Sequence, residues 1–169
     1  MKRAPFLAGL AALCGCSTSS LAQAPERGIL PADRTTIASC IRDSGEQARG
    51  CIGSVAVVCA RQGGGNREEA EVRCSRREAA VWRERLEVGL ASLAQRLEAG
   101  PRGRLAALHR SWEGYAAQKC AFVSELQPPA RAAVMQAGCE LREVALRALE
   151  TERLLRSQNG GGSQPRLER

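Results

Sequence analysis

The stretch NREEAEVRCSRREAAVWRERLEVGLASLAQRLEA, residues 66–99, decides the fold. Within it Trp82, Leu86, Leu90, Leu93 and Leu97 recur at steps of four and three, which lays one apolar stripe along a helix. Asn66 followed by Glu69 is a capping-box-like start. The remaining positions carry mixed charge, including Glu69 and Arg73 at i,i+4, and read as a solvated face. Downstream, Gly100-Pro101-Arg102-Gly103 breaks the pattern. A further helix is expected over 104–123, with Leu105, Leu108, Trp112, Tyr115 and Phe122 facing inward. After the turn at Gln127-Pro128-Pro129, a last helix is expected over 130–156, with Val134, Leu141, Val144, Ala148 and Leu149 inward. Upstream, Asp33 is expected to cap a short helix to about Arg42, and Ser44-Gly45 turns the chain. A second helix over 47–61 brings Cys51 and Cys59 onto similar faces and ends at Gly63-Gly64-Gly65. Strand signals are nearly absent and no repeat is visible. The short connections predict an all-α antiparallel bundle: three long helices plus one or two short N-terminal ones.

The N-terminus reads as an export signal. Lys2 and Arg3 precede an apolar run, Ala4 to Cys16, that is too short to span a membrane. Small residues at Ser20-Leu21-Ala22 place a cut after Ala22, with Ala24 as the alternative; a cut there leaves Pro25 next to the protease. A second exit is lipidation: Leu13-Cys14-Gly15-Cys16 resembles a bacterial lipobox, with Cys16 acylated and the signal ending at 15. The expected organisation is a signal over 1–22, a linker over 23–32, one domain over 33–156 and a disordered tail over 157–169.

Either exit leaves six cysteines: Cys40, Cys51, Cys59, Cys74, Cys120 and Cys139. An exported chain with an even thiol count holds disulfides as a rule, and none of these thiols forms a CxxC pair of the kind a structural zinc site wants. Six thiols allow fifteen pairings. Local geometry favours the sequential set, because Cys40/Cys51, Cys59/Cys74 and Cys120/Cys139 each flank one turn. The core is poor in aromatics and built of Leu, Val and Ala, so each bridge matters at roughly 2–4 kcal/mol. No cofactor motif is present, and His109 is the single histidine. With every mature thiol oxidised, nucleophile–base pairs have almost no candidates, and no placed carboxylate pair stands out. The chain therefore reads as a non-enzyme.

The formal charge of +7 falls to +5 once Lys2 and Arg3 leave with the signal. Nearly all of it is arginine. Nucleic acid is a poor partner, since the compartment is wrong and no aromatic-plus-basic stacking platform exists. The clustered arginines Arg96, Arg102, Arg104 and Arg110, beside His109, form a candidate surface for an anionic glycan, a lipid headgroup or an acidic protein. The plain alternative is a solvated loop in an arginine-rich chain.

The run Leu108-His109-Arg110-Ser111-Trp112-Glu113-Gly114-Tyr115, followed by Cys120-Ala121-Phe122, resembles the signature of the lysozyme-inhibitor LprI family, N-terminal domain. Cys51-Ile52-Gly53, Cys59, the glycine turn, and Cys74 with Trp82 and Leu86 downstream look like its longer proteobacterial branch, marked by that Cys-Ile-Gly motif. Cys139 with Arg147 and Leu149 resembles the closing helix. The likeness runs from about Cys40 to Leu155. The chain departs from it where Ala116 and Ala117 replace the usual Arg-Asp, Glu87 and Leu90 replace Asn and Tyr, and His109 stands for glutamine. The resemblance implies a helical periplasmic or secreted binding protein with no transmembrane span. In one branch it implies an inhibitor of lysozyme. Animal-type lysozymes are basic, so a +5 chain meets like net charge at encounter; a few buried anchors can still decide affinity.

Overall fold

The computed structural model describes residues 29–160. The expected signal, Cys16, the first part of the linker and residues 161–169 lie outside them. Helix α1 spans Pro31–Ser44 and is followed by a 3-10 helix, Gly45–Cys51. Then come α2, Ala56–Gln62; α3, Arg67–Gln95; α4, Ala99–Glu125; and α5, Pro129–Gly160, with no strand among the described residues. The all-α bundle expected from periodicity is the observed fold, and its three disulfides are Cys40–Cys51, Cys59–Cys74 and Cys120–Cys139.

Element ends follow local chemistry, and several differ from expectation. Helix α1 begins two residues before Asp33, with Pro31 at its first position, where a missing N–H costs nothing. The Asp33 carboxylate reaches back to the Leu30 N–H at 2.9 Å, so it works inside the first turn rather than as the cap. The expected helix over 47–61 is interrupted. The chain turns after Cys51, Gly53 takes φ +100°, and α2 starts afresh at Ala56. The break is rewarded by Glu78 of α3. Its Oε1 accepts from Gly53 N at 2.7 Å, and its Oε2 accepts from Val55 N at 2.9 Å and Ala56 N at 2.7 Å. Cys51 and Cys59 therefore serve different neighbours, one stapled to α1 and the other to α3.

Asn66 caps α3 as expected, its Oδ1 accepting from Glu69 N at 3.0 Å. The helix stops at Gln95, short of the expected end. Arg102 donates to the carbonyls of Ala94 (3.0 Å) and Leu97 (2.9 Å), closing that end. Gly100-Pro101 is then no break: it falls in the first turn of α4, where proline gives up no hydrogen bond. Helix α5 runs on to Gly160, past its expected end at Arg156.

Helices α3 and α5 run parallel and make the main seam. Arg131 pairs with Glu71 (3.0 Å) near one end and Arg85 with Glu152 (2.7 Å) near the other. Trp82, Leu86 and Val81 of α3 meet Leu141, Val144, Ala145, Ala148 and Leu149 of α5, with Ile37 of α1 and Val55 closing the core. Gly89 allows the closest approach: a Cβ there would stand 3.0 Å from Thr151 Cγ2.

Helix α4 is antiparallel to both, yet it packs on α5 and barely touches α3. It buries a narrow strip through Leu105, His109, Trp112, Ala116 and Cys120, and Cys120 alone is fully covered. The inward positions expected at Leu108, Tyr115 and Phe122 are instead 63%, 58% and 59% exposed. A helix that leans on one neighbour covers one strip, and these residues form a second strip beside it.

Candidate functional site

Two surfaces stand out, and α4 borders both. The first is its uncovered face. Leu108, Tyr115 and Phe122 are seven residues apart and so lie in one row, and Leu126, 64% exposed, extends it. The Tyr115 ring lies 5.7 Å below Lys119 Nζ. Lys119 is tied to Glu143 of α5 at 2.7 Å, and this bond is the first reason its ammonium titrates above the usual lysine range. The row therefore faces solvent as an apolar ridge, with the charge of Lys119 compensated at its middle and exposed Arg104 at its Leu108 end.

Behind the ridge, the other motif residues hold α4 to α5. Trp112 is half-buried, its ring stacked with His109 at 5.5 Å and covered by the Arg147 guanidinium at 6.0 Å. Arg147 also pairs with Glu150 at 2.8 Å. Trp82 and Leu86 lie in the α3–α5 core, and the Trp82 indole donates to Glu78 at 2.9 Å. Arg110 is exposed. Ala116 and Ala117 line a small groove with Arg83 and Glu140.

The second surface is a cleft of about 1000 Å³ between α2 and the start of α3 on one bank and α4 and α5 on the other. Val57, Val123, Val134 and Met135 supply apolar lining, and Arg61, Arg67, Lys119 and Arg142 supply charge. Arg67 and Arg131 both hold Glu71, at 2.9 and 3.0 Å, and keep its carboxyl below the ordinary range, Arg67 contributing most. Among the described residues, Arg61 and Arg142 have no ion-pair partner.

Of the arginines expected to form an anion-binding surface at the α3–α4 junction, two already hold partners. Arg102 donates to the carbonyls of Ala94 and Leu97, and Arg96 is engaged as well. Arg104 and Arg110 stay exposed. Sequence reasoning missed Glu78, whose signal was its place four residues from both Cys74 and Trp82 on the buried stripe. It also missed that Arg61 and Arg142 line one cleft, for which the sequence carries no signal. Among the described residues, no group of three His, Cys, Asp or Glu is placed to hold a metal, and no helix is long and apolar enough to cross a membrane.

The family model described as Lysozyme inhibitor LprI matches residues 59–151, more than half of the chain. The chain belongs to the LprI family. No curated protein and no solved structure matches it at significance. The LprI match takes in α3, α4 and most of α5, with the Cys59–Cys74 and Cys120–Cys139 bridges; α1 and the Cys40–Cys51 bridge precede it.

Proposed function

We propose that this chain is an exported, non-catalytic binding protein that inhibits lysozyme by docking the outer face of α4 against it. The observation that carries this reading is the row Leu108, Tyr115, Phe122 and Leu126, each more than half exposed on a helix that has a covered side available. Contiguous apolar side chains on a surface mark interaction sites, and tyrosine is enriched among binding hot spots. Family membership supplies the partner to test first. Three disulfides support a protein that works outside the cytoplasm.

The objection from like net charge weakens at this face. From Leu108 to Leu126 the charged residues are Arg110, Glu113, Lys119 and Glu125, and Lys119 is already paired. Exposed Arg104 stands one turn before Leu108; most of the remaining positive charge sits elsewhere, where salt screens it. The test is cell-wall turbidity with an animal-type lysozyme and micromolar oxidised protein. Slower lysis is expected. Tyr115→Ala/Phe122→Ala should weaken it by at least ~10-fold, with circular dichroism and melting unchanged because both side chains are exposed. Lysis at the control rate in the presence of the intact protein rejects the reading.

A further inference from the structure

We propose that the cleft between α2 and α5 binds a single-chain amphiphile with an anionic oxygen head, the chain on the valine–methionine floor and the head between Arg61 and Arg142. Nothing in the lysozyme reading needs this site, and its residues are not those of the α4 ridge.

Size comes first. At about 1000 Å³ the cleft stands at the top of the range for small-molecule sites, roughly 300–1,000 Å³. It is a recess, not the broad patch of about 800 Å² that each partner of a standard protein complex presents. Chemistry comes second. Val57 and Met135 are 50% and 37% exposed, so the floor offers apolar surface that nothing in the described chain covers. A helix-interior glycine, Gly138, lines the same cleft, and a Cβ added there would meet nothing within 4 Å. That leaves room on the floor for a ligand.

Charge comes third. Four cations line the cleft, and two of them, Arg67 and Lys119, are neutralised at 2.9 and 2.7 Å by Glu71 and Glu143. Arg61 and Arg142 are left over among the described residues. A carboxylate or phosphate head can meet their guanidinium forks without breaking an existing bridge. A neutral head leaves them unused, and a cationic head is repelled.

The test is isothermal titration of the oxidised protein with decanoate and with decyl phosphate, both below micelle formation. Decanol and decyltrimethylammonium serve as controls. Saturable single-site binding of at least one anion is expected, and the stronger of the two names the head as carboxylate or phosphate. Arg61→Gln/Arg142→Gln and, separately, Gly138→Leu should each weaken it by at least ~10-fold. Neither should melt lower, and Gly138→Leu should melt somewhat higher because it removes a helix-interior glycine; both should keep any effect on lysozyme, since these positions are exposed or open. The proposal is overturned if neither anion saturates, if decanol or the cation binds as tightly, or if both variants bind like the parent. It is also overturned if a soluble Glu/Leu-rich peptide displaces the amphiphile and binds more tightly, which would make the cleft a protein site.

Discussion

Glu78 is wholly covered, and both its oxygens accept from N–H donors, three backbone groups and one indole. It joins α3 to the turn that starts α2, and so fixes where the Cys-Ile-Gly segment lies. Buried donors left without an acceptor cost about 1–3 kcal/mol each. Glu78→Ala should therefore lower unfolding free energy by about 3–5 kcal/mol, a large share of a small domain's stability. Glu78→Gln should not rescue it fully, because its amide turns N–H toward N–H. Urea denaturation of the oxidised proteins checks both; a loss under about 1 kcal/mol for Glu78→Ala would show that water replaces the carboxylate. At this scale the sequence was partly readable. Trp82 and Leu86 declared themselves by spacing. Glu78 sat in the same stripe but read as one more charge on a mixed-charge face, because hydrophobicity patterns do not register an acid whose partners come from a distant turn.

Helices were more legible than their contacts. The long apolar stripes of α3 and α5 gave both helices and about half of their buried residues. Their ends depended on single side chains, Arg102 above all, and shifted accordingly. In α4 the spacing gave a helix but not the side it buries, since Leu105–Trp112 and Leu108–Tyr115–Phe122 are two adjacent strips and only docking chooses between them. With Cys120 its one fully buried residue, α4 owes much of its attachment to the Cys120–Cys139 bridge. Cys120→Ser/Cys139→Ser should cost about 3 kcal/mol by the loop-closure argument. Hydrogen exchange should then show α4 amides losing protection first, with α3 and α5 still protected. Uniform loss across all three helices would contradict the view of α4 as a weakly seated element.

Among the described residues, the bridges staple three pairs of successive elements. One bridge ties α1 to the 3-10 helix, one ties α2 to α3, and one ties α4 to α5. No bridge joins one pair to another among the described residues, so the α3–α5 seam, smaller contacts of α1 with α3 and of α5 with the 3-10 helix, and the short connections hold the pairs together. Ion pairs then set the response to pH. Asp33 is buried, and the hydrogen bonds from Arg77 hold its carboxyl below the usual range, helped by Leu30 N–H and opposed by burial. Arg67 does the same for Glu71, and Arg34 for Glu84. A lowered folded-state value means stability that is present above the unfolded carboxyl range near 4 and lost as pH falls through the folded values. Lys119 is raised, so its contribution holds at neutral pH and is lost only at pH above about 10.4. Glu84 and Lys119 face solvent and count for little; Asp33 dominates. Melting temperature should be flat from about pH 5 to 9 and fall below about pH 4. Asp33→Asn should lower the plateau and flatten the acid limb. An unchanged acid limb in that variant would shift the effect to other carboxyls.

Residue order alone determined the helical class and the family and favoured the sequential sulfur pairing that the structure shows, because each rests on short-range spacing: apolar periodicity, cysteines flanking turns, and a motif within one helix. Tertiary structure decided which side of α4 is left bare, that Arg61 and Arg142 share a cleft, and that Glu78 is buried. Those facts depend on how elements many residues apart come to lie against one another, and no local pattern encodes that.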